Sequence, residues 1–469
     1  MDILEQIRTD IGAKYVISGA AAETWTRDWM NVYHWQPLAV VRPATTAEVQ
    51  AIARACSVAE VAMVPVGGNT GLTGATKAQD AIMISLDRMN AIREIKPNTQ
   101  VAIVESGAIL DSIHQAADAH NLIFPLYFGA RGSAMIGGNL STNAGGSNVL
   151  RYGNTRDLCL GLEVVLADGR VMNLMSELRK DNTGLNLKHM FIGAEGTLGI
   201  ITAAALRLYR KPLAYVTAMV GMRALEESLP LLNRLQNETG GGVEAFEFMP
   251  RRYIQRHMAQ KAGALEPFDD AHEINILVEV ATTRTSDLEQ DSSGTPKLQA
   301  ILENALIDMI EAGSAQDAVI AQNEAQRRVM WERRESAAEI TVGFKGSIDT
   351  DIAVPLGDVS TFLRQVSLRV SEIDPAGEEF YISHLGDGNL HYTFYPSDIS
   401  GVFKEPITEA IEDVVLALNG SFSAEHGIGL SKRNSMARRK DPVALEMMWA
   451  MKTAFDPKNL MNPGKVYPD

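Results

Sequence analysis

The stretch that decides the fold reads Gly67-Gly68-Asn69-Thr70-Gly71-Leu72-Thr73-Gly74 and follows a strand-like run over residues 61–66. Its glycines lack the spacing of the dinucleotide-binding fingerprint, and the sequence contains no Walker-type Gly-Lys-Ser/Thr. A loop this rich in glycine nevertheless permits unusual backbone angles and lets several amides turn inward. Such amides form an anion nest, so we expect this loop to hold a pyrophosphate.

A second glycine-dense loop, over residues 128–152, extends this interpretation. It contains Gly132-Ser133, Gly137-Gly138-Asn139 and Ser141-Thr142-Asn143-Ala144-Gly145-Gly146. Small residues let the backbone approach a flat ligand closely, while hydroxyls and amides offer hydrogen bonds to the polar edge of that ligand. A flexible linker is the alternative, but a linker would not carry Met135, Ile136 and Leu140. We therefore favour a binding loop.

Length, charge and cysteine content limit the function classes. A chain of 469 residues can bury a large core and suggests two or more domains. The formal net charge of -15 argues against nucleic acid or an anionic membrane as the main partner, although a local cationic pocket could still bind a small anion. Cys56 and Cys159 are the only cysteines, which excludes a disulfide framework and a cysteine-based zinc or iron–sulfur site.

The N-terminal sequence gives no sign of a targeting signal. It begins Met-Asp-Ile-Leu-Glu-Gln, and no basic region followed by an apolar segment is found there. No apolar run approaches the length of about 20 residues that a membrane-spanning helix needs. We expect a soluble, cytoplasmic protein without a membrane span.

A third stretch, His384-Leu385-Gly386-Asp387-Gly388-Asn389-Leu390-His391, places two imidazoles on either side of a glycine-rich turn. Strand-like runs flank it, over residues 378–383 and 390–395. If the turn reverses the chain, the two histidines lie side by side on a hairpin and can share one metal ion. The alternative is an ordinary turn with two surface histidines.

Other local patterns predict individual elements. Thr45 and Glu48 form a capping-box signal for a helix that extends to about residue 57. The aromatic residues of the first 36 positions, including Trp29 and Trp35, are expected to pack onto the body of the protein. Helices are predicted over residues 224–236 and 324–340, and Lys211-Pro212 marks the expected domain boundary.

Five motifs in order carry a family resemblance: Gly-Gly-Asn-Thr-Gly, Asn-Ala-Gly-Gly, Gly-Ala-Glu-Gly-Thr-Leu-Gly-Ile (193–200), the histidine stretch with Ser-Ala-Glu-His-Gly-Ile-Gly (423–429), and Met-Asn-Pro-Gly-Lys (461–465). The first three resemble the PCMH-type FAD-binding domain of the vanillyl-alcohol-oxidase-type flavoproteins. The later ones resemble the FAD-dependent D-2-hydroxyacid dehydrogenase branch, which includes D-lactate, D-2-hydroxyglutarate and glycolate dehydrogenases. The resemblance covers residues 37–465.

The resemblance implies an α+β fold with four parts. Residues 1–36 form an N-terminal helical segment, and residues 37–211 form a two-part FAD-binding domain. Residues 212–420 form a cap domain of antiparallel sheet backed by helices, which binds the substrate. Residues 421–469 form a helical C-terminal segment that returns to the FAD domain.

The resemblance also implies the flavin contacts. The pyrophosphate is expected on the first glycine loop, and the rest of the cofactor along the second loop and the later motifs. The residues are Val66, Gly67, Gly68, Asn69, Thr70, Gly71, Leu72, Pro125, Gly132, Ser133, Gly138, Ser141, Thr142, Asn143, Gly146, Glu195, Gly199, Ile200 and Asn462. Asn69 stands where covalently flavinylated relatives often have histidine, which predicts non-covalent FAD.

The metal site is predicted to combine three residues. His384, His391 and Glu425 offer two imidazoles and a carboxylate, which suit Zn²⁺ or Mn²⁺ and leave positions open for a bidentate substrate. His426, next to Glu425, would then take the substrate hydroxyl proton as the C2 hydride passes to flavin N5. The alternative for His426 is a packed supporting histidine.

Substrate recognition is expected to need a cation. Arg334 lies three residues after Trp331, as the carboxylate-binding arginine of similar dehydrogenases does, and Arg333 is its rival. Lys345 resembles the family's substrate-binding lysine more loosely. Thr393 departs from the asparagine that hydroxyglutarate-acting relatives tend to have two positions after the second histidine, which leaves the tail of the substrate open.

The leading hypothesis is a dehydrogenase for a small anionic D-2-hydroxy acid such as D-2-hydroxyglutarate, D-lactate or D-malate. Its electrons would pass to an acceptor such as an electron-transfer flavoprotein or a quinone, and it could act as a homodimer. The alternatives are a metallohydrolase that uses the three metal ligands to activate water, a glycolate oxidase-type subunit, and a non-catalytic metal or flavin carrier.

Overall fold

The computed structural model describes residues 2–341 and 344–468, and the predictions for Met1, Val342, Gly343 and Asp469 lie outside the described residues. The described chain forms sheets of four, five and seven strands and a two-stranded ladder, surrounded by helices. None of the helices described is long and apolar enough to cross a bilayer.

The α-helices are α1 (Ile3–Ile11), α2 (Thr46–Ala59), α3 (Leu110–Asp118), α4 (Ile136–Thr142), α5 (Val149–Tyr152), α6 (Thr155–Leu158), α7 (Lys188–Phe191), α8 (Ser228–Thr239), α9 (Arg251–Gln260), α10 (Lys297–Glu311), α11 (Glu324–Glu335), α12 (Ala337–Thr341), α13 (Val359–Ile373), α14 (Lys404–Ala417), α15 (Arg433–Arg439) and α16 (Pro442–Phe455).

The strands are β1 (Val16–Ile17), β2 (Ala39–Val41), β3 (Met63–Val66), β4 (Ile82–Ser85), β5 (Ile92–Lys96), β6 (Val101–Glu105), β7 (Leu122–Ile123), β8 (Cys159–Val165), β9 (Val171–Leu174), β10 (Ile200–Arg207), β11 (Tyr209–Arg210), β12 (Ala214–Met222), β13 (Val243–Pro250), β14 (Ile274–Thr282), β15 (Ala315–Ile320), β16 (Ile348–Ala353), β17 (Glu378–His384) and β18 (Asn389–Tyr395).

The N-terminal half contains two small sheets. The first has the order β1-β2-β4-β3, in which β2 and β3 both run parallel to β4 and β1 runs antiparallel to β2. The second has the order β5-β6-β10-β8-β9 and is antiparallel throughout. Helix α2 packs onto the first sheet, where Ile52 and Cys56 join Ile82 and Ile84 in one buried core. The first glycine loop starts at the end of β3, at the edge of this core.

The seven-stranded sheet is antiparallel throughout, in the order β15-β12-β14-β13-β17-β18-β16. Along β18, Leu390, Tyr392 and Phe394 are fully buried on the face that α8, α10, α13 and α14 cover. Because side chains alternate along a strand, His391 and Thr393 lie on the other face. We call this second face the polar face.

Helices α9 and α11 cover part of the polar face. Met249 of β13 and Phe380 of β17 pack there against Tyr253 of α9 and Met330 of α11, all of them buried. This apolar cluster ends beside the imidazoles of the β17–β18 hairpin. The polar face therefore has an apolar part covered by helices and a polar part at β16, β17 and β18.

The C-terminal segment contacts the N-terminal half again. The backbone N–H of Met63 donates to the carbonyl oxygen of Leu460 at 2.7 Å, and the N–H of Asn462 donates to the carbonyl oxygen of Met63 at 2.7 Å. The buried Lys452 of α16 donates to the carbonyl oxygen of Thr197 at 2.9 Å. The last residues thus extend the first sheet at β3.

The predicted α+β class and the antiparallel character of the large sheet are confirmed. The loop predicted over residues 128–152 instead contains the short helices α4 and α5. The helix predicted over residues 224–236 begins only at Ser228, after a 3-10 turn, and the one predicted over residues 324–340 is divided at Ser336.

Two further expectations were partly wrong. The Thr45 hydroxyl caps α2 by accepting the Glu48 N–H at 3.2 Å, but the Glu48 carboxylate accepts the N–H of Ala44 at 2.7 Å rather than that of Thr45. The capping box is therefore displaced by one residue on its carboxylate side. Among the N-terminal aromatics, Trp35 is buried whereas Trp29 is 57% exposed, so the latter does not pack into the body.

Candidate functional site

The hairpin brings the two predicted metal histidines together. Strands β17 and β18 pair with Ile382 opposite His391 and His384 opposite Asn389. The ring centroids of His384 and His391 lie 5.4 Å apart. The reversal depends on Gly388, whose φ is +80° and whose missing Cβ would lie 2.2 Å from the carbonyl oxygen of Val354. The turn thus places both imidazoles on the polar face.

Asp351 of β16 holds the segment that carries Glu425 and His426. Its Oδ2 accepts the backbone N–H of Glu425 and that of His426, each at 2.8 Å. Its Oδ1 accepts from the Asn389 amide at 2.9 Å. The Asp351 carboxylate is buried, so these donors replace the water that it loses on folding. Strand β16 therefore fixes a segment more than 70 residues further along the chain.

Four side chains are close enough to share a cation. Donor atoms of Asp351, His391, Glu425 and His426 all lie within 4.8 Å of one another. The Nε2 atom of His391 is 3.8 Å from Oε2 of Glu425, and Nδ1 of His426 is 3.6 Å from Oδ2 of Asp351. Imidazole and carboxylate donors suit Zn²⁺ or Mn²⁺. These four residues include His391 and Glu425 of the predicted metal site.

His384 is occupied by a different partner. Its Nδ1 lies 2.9 Å from Oε2 of Glu247, and the same carboxylate oxygen accepts from Nε of Arg334 at 2.6 Å. Burial by itself lowers the pKa of His384, but the Glu247 carboxylate outweighs it and raises the pKa above its ordinary value. Glu247 fixes the Nδ1 side of the ring, and a carboxylate of this kind commonly orients a metal-binding histidine.

His391 and His426 are in the neutral form that a metal ligand or a general base requires. Burial holds the pKa of His391 well below its ordinary value, and burial also lowers the pKa of His426. Both are therefore neutral near pH 7, and each has a free lone pair. Burial raises the pKa of Glu425, and the carboxylate of Asp351 acts in the same direction. A divalent cation would relieve this repulsion, so the donor set fits such an ion.

The first glycine loop fits a flat ligand. A Cβ at Gly68 would lie 2.0 Å from the carbonyl oxygen of Ser133, so the two glycine loops touch there. A Cβ at Gly71, Gly132 or Gly138 would meet nothing within 4 Å. Packing within the protein does not explain these three glycines, because a side chain would have room. They border open space in which a cofactor can approach the backbone.

Asn69 takes a structural part in the loop. Its φ of 52° is left-handed, its Nδ2 donates to the carbonyl oxygen of Arg27 at 3.0 Å, and its Oδ1 accepts from Thr76 at 2.7 Å. An amide so engaged offers no nucleophile for a covalent flavin bond. Non-covalent binding of FAD stays a prediction.

Several other predicted flavin contacts are buried within the protein. Val66, Pro125 and Ile200 lie inside the fold, and a Cβ at Gly199 would meet the Val164 side chain at 2.7 Å. The hydroxyls of Ser141 and Thr142 donate to carbonyl oxygens of their own helix, at 2.7 and 3.1 Å. Gly146 is also buried, and its missing Cβ would lie 2.1 Å from the carbonyl oxygen of Tyr127. The predicted contacts that are at least partly exposed are Gly67, Thr70, Leu72, Ser133 and Asn143.

Glu195 joins the flavin half to the His426 segment. Its Oε1 accepts the N–H of Ile428 at 2.7 Å, and its Oε2 accepts the N–H of Gly429 at 2.8 Å. Burial raises the pKa of this carboxyl to about 7. The Asn462 amide donates to the carbonyl oxygen of Glu195 at 2.8 Å and thus ties in the C-terminal segment. These two residues were expected at the flavin, and both hold protein segments together.

The second glycine loop touches the four side chains that could share a cation, which we call the cation-ligand cluster: Asp351, His391, Glu425 and His426. A Cβ at Gly145 would lie 2.6 Å from Oε1 of Glu425. The carbonyl oxygen of Thr73, in the first glycine loop, accepts the N–H of Leu430 at 2.8 Å. Both loops therefore reach the segment that carries Glu425 and His426.

The predicted substrate residues have different environments. Arg334 is buried beside Glu247 and His384, whereas Arg333 points away and donates to the carbonyl oxygen of Leu265 at 2.9 Å. Thr393 lies on the polar face two residues after His391. Lys345 is exposed in the loop before β16. The structure thus separates the two arginines, and it places Lys345 outside the buried cluster.

Sequence reasoning missed Asp351, Glu247 and Asp349. The first and last belong to Ile348-Asp-Thr-Asp-Ile352, in which acidic residues alternate with apolar or branched ones. In a strand this alternation places both carboxylates on one face. That signal was available in the sequence. Glu247 stands between Phe246 and Phe248 and gives the same kind of signal.

Two family models match the chain. The FAD binding domain matches residues 37–175, and the C-terminal domain of FAD linked oxidases matches residues 211–466. The second match alone spans more than half of the chain. Together they agree with the order of the glycine loops and the histidine motifs.

Curated relatives match over nearly the full length. A D-2-hydroxyglutarate dehydrogenase of Stutzerimonas stutzeri (strain A1501) is 32% identical, over 99% of this chain and 98% of that protein. A mitochondrial D-2-hydroxyglutarate dehydrogenase of Arabidopsis thaliana is 32% identical, over 98% of this chain and 80% of that protein. A Schizosaccharomyces pombe protein, provisionally named a mitochondrial D-lactate dehydrogenase, is 33% identical over 95% of this chain and 85% of its own length.

Solved structures share the fold at low sequence identity. An alkyldihydroxyacetonephosphate synthase has a TM-score of 0.74 at 15% identity, covering 99% of this chain and 86% of the other. A p-cresol methylhydroxylase has a TM-score of 0.73 at 15% identity, covering 100% of this chain and 96% of the other. These similarities confirm the predicted fold class.

Proposed function

The chain belongs to the FAD-linked oxidases, and from this membership we propose that it is a FAD-dependent dehydrogenase that oxidises a D-2-hydroxy acid to the 2-oxo acid. The observation that carries the proposal is the contact of Glu425 with Gly145, which sets the cation-ligand cluster against the second glycine loop. Relatives named D-2-hydroxyglutarate dehydrogenase support the class of reaction. We also propose the four-part division at residues 36, 211 and 420, since the two family matches are separated between residues 175 and 211.

The bound groups would supply the chemistry that side chains lack. FAD, when bound, accepts a hydride at N5. A divalent cation, Zn²⁺ or Mn²⁺, would hold the carboxylate and the hydroxyl of the substrate together and lower the pKa of that hydroxyl. We propose His391 and Glu425 as ligands, with His384 as the third ligand through Nε2. That nitrogen lies 3.3 Å from Nη2 of Arg334, so the guanidinium must move away when the cation binds. Glu247 then orients His384 from its Nδ1 side.

His426 is the proposed base. Burial lowers its pKa, so the neutral form that accepts the hydroxyl proton predominates near pH 7. Asp351 fixes its backbone and faces its Nδ1 at 3.6 Å, which directs Nε2 away from the carboxylate. Arg334 is proposed to bind the C1 carboxylate of the substrate, with its own charge partly balanced by Glu247. Reduced flavin would pass its electrons to an electron-transfer flavoprotein or a quinone.

Anaerobic flavin reduction tests the proposal. The purified protein is mixed with D-lactate, D-malate, D-2-hydroxyglutarate or the achiral glycolate, and with the L-enantiomers of the first three acids, while the flavin absorbance is followed. We expect bleaching by at least one D-acid and its loss after treatment with a chelator, with recovery on adding Zn²⁺ or Mn²⁺. A colourless protein, or bleaching by L-acids alone, would refute the proposal, and hydrolysis without flavin would favour the metallohydrolase.

His426→Ala separates an enzyme from a carrier. We expect turnover to fall by about 100-fold or more, since general base catalysis contributes about 10²–10⁴-fold, while flavin and metal content stay unchanged. Near-normal turnover would exclude His426 as the base. Acid precipitation tests the cofactor linkage, because non-covalent FAD leaves the yellow colour in the supernatant.

A further inference from the structure

We propose that Asp349 and Thr393 form the wall of the pocket that selects the substrate tail, and that they favour D-2-hydroxy monocarboxylic acids with an uncharged tail over acids with a second carboxylate. This inference rests on the proposed function, because it concerns the acid bound beside His391 and His426.

The two residues lie on the polar face next to the cation-ligand cluster. In the ladder of β16 and β18, Asp349 is opposite Thr393 and Asp351 is opposite His391. Alternation puts all four side chains on the same face. Asp349 and Thr393 therefore occupy the pair of positions next to Asp351 and His391, where the part of a substrate beyond C2 would extend.

The Asp349 carboxylate is held in place by two hydroxyl donors. Oγ1 of Thr393 donates to Oδ1 at 2.8 Å, and Oγ of Ser347 donates to Oδ2 at 2.8 Å. Neither donor carries a charge, so the negative charge of Asp349 is not neutralised. Within residues 2–341 and 344–468 the carboxylate forms no ion pair with lysine, arginine or histidine. It is exposed and so accessible to a ligand.

Asp349 lies close to the reaction centre along β16. It is two positions from Asp351 on the same face of the strand. Asp351 in turn lies 3.6 Å from Nδ1 of the proposed base His426. A second carboxylate on a substrate held beside His426 would therefore lie near the negative charge of Asp349.

Two nearby cations, Arg334 and Lys432, already have partners, whereas Lys345 is exposed in the loop before β16. The guanidinium of Arg334 is paired with Glu247 at 2.6 Å, and Nζ of Lys432 lies 3.9 Å from Asp351. With Glu425 also present, the cluster has carboxylates in excess of cations. A divalent cation and the C1 carboxylate of the substrate would not change this imbalance enough to attract a second anionic group. Like charges at such a site disfavour binding.

Arg256 is the rival cation at this end of the sheet. Its Nη1 donates to the Tyr395 hydroxyl at 2.7 Å, and its guanidinium stacks over the Phe380 ring at 4.1 Å. These contacts direct the guanidinium at aromatic rings and a hydroxyl. If Arg256 instead bound a tail carboxylate, dicarboxylic acids would be preferred, so a variant of Arg256 belongs in the test.

The test compares D-lactate, D-2-hydroxybutyrate and D-glycerate with D-malate and D-2-hydroxyglutarate. The rate of anaerobic flavin reduction is measured by stopped flow as a function of acid concentration, which yields a limiting rate and a Kd for each acid. For the unaltered protein we expect the monocarboxylic acids to have a ratio of rate to Kd at least about tenfold higher than the dicarboxylic acids. D-Glycerate, whose tail hydroxyl can donate to Asp349, should bind at least as well as D-2-hydroxybutyrate.

Asp349→Asn removes the charge and keeps an acceptor for the hydroxyl donors. We expect it to shift the preference toward the dicarboxylic acids by about tenfold, mainly through Kd. Asp317→Asn is the matched control, because Asp317 lies on β15 at the opposite edge of the same sheet. It should leave the preference unchanged. The FAD content and thermal midpoint of each variant show that it is folded.

Three results would overturn the inference. The first is faster reduction of the unaltered protein by D-2-hydroxyglutarate than by any monocarboxylic acid, and the second is an unchanged preference in a folded Asp349→Asn. The third is loss of dicarboxylic acid binding in Arg256→Met, which would identify Arg256 as the tail-binding cation. If no D-2-hydroxy acid reduces the flavin, the proposed function fails and the inference fails with it. If D-2-hydroxy acids reduce the flavin but the dicarboxylic acids are preferred, the inference is rejected and the proposed function stands.

Discussion

Oδ2 of Asp351 lies 2.8 Å from the backbone nitrogen of His426 and accepts its N–H, in the same way that it accepts the N–H of Glu425. One buried carboxylate thus fixes the backbone of a proposed ligand and of the proposed base. Burial opposes the ionisation of Asp351, but the Lys432 ammonium and the N–H group of Glu425 help to hold its pKa well below its ordinary value. The ionised form is the one that accepts both N–H groups.

Asp351→Asn is expected to reduce turnover by about 100-fold while the protein keeps its FAD, because the loss of charge-assisted hydrogen bonds costs about 1.5–3 kcal/mol and releases the His426 segment. The measurement is steady-state turnover together with flavin absorbance. Asp374→Asn is the control, since Asp374 is also buried and accepts from the Ser397 backbone and hydroxyl at 2.7 Å each, in a turn away from the cluster. Equal losses in both variants would assign Asp351 a merely structural role.

Glu195 supports the same segment from the flavin half, which predicts an effect on catalysis. Glu195→Gln keeps one acceptor but turns an NH₂ group toward the N–H of Ile428 or Gly429. An unsatisfied buried donor costs about 1–3 kcal/mol, so we expect about tenfold slower flavin reduction with little change in substrate Kd. A change in Kd alone would contradict a positioning role.

Glu195 also predicts how stability varies with pH. Burial raises its pKa in the folded protein from the ordinary 4.5 to about 7, so the folded state binds more protons than the unfolded state between these values. The stability that Glu195 contributes is therefore greatest below its pKa in the unfolded chain. It falls as the pH rises through its pKa in the folded protein. Between about pH 5.5 and about pH 8 this amounts to about 2 kcal/mol. Thermal midpoints of the unaltered protein should fall more over this range than those of Glu195→Gln, and parallel curves would refute the assignment.

The sequence predicted well what depends on neighbouring residues. The hairpin between His384 and His391 was predicted because a turn and two flanking strands are local features. Thr45 was identified as a cap for the same reason. These predictions needed no knowledge of how distant segments pack.

The partners of the site residues were not predictable in this way. Glu247 reaches His384 because β13 pairs with β17 in one register, with 137 positions between the two residues. Asp351 meets His426 across 75 positions. Sequence patterns assign a residue to a face of a strand, but the order of strands in a sheet determines which faces meet. Glu195 was predicted to contact the flavin. Its hydrogen bonds to Ile428 and Gly429 were not predicted, for the same reason.

The glycine loops offer a paired test of the flavin cradle. Gly68→Ala places a Cβ 2.0 Å from the carbonyl oxygen of Ser133, so the loops must separate and both stability and FAD content should fall. Gly71→Ala meets nothing within 4 Å and should leave the thermal midpoint of the FAD-free protein unchanged. If Gly71 borders the cofactor, its variant should still bind FAD about tenfold more weakly, a loss of about 1.4 kcal/mol. Unchanged FAD affinity in Gly71→Ala, measured by fluorescence titration, would remove Gly71 from the cradle.

Two arginine–glutamate pairs with buried carboxylates on the polar face allow a test of the charge arrangement at His384. Glu247 pairs with Arg334 at 2.6 Å inside the site, and Glu279 pairs with Arg327 at 2.7 Å outside it. Both carboxylates are almost fully buried. Removing one partner of a buried pair leaves an uncompensated charge and costs about 3–5 kcal/mol.

Glu247→Gln and Glu279→Gln should therefore lower the thermal midpoint to a similar degree, but only Glu247→Gln should impair the enzyme. In Glu247→Gln a neutral amide replaces the carboxylate beside Nδ1 of His384, and Arg334 loses its ion pair next to the ring. We expect about 10–100-fold weaker metal binding, the range found when a partner of a metal-bound histidine is removed. The measurement is metal content after dialysis together with flavin reduction, and equal metal content in the two variants would exclude His384 as a ligand oriented by Glu247.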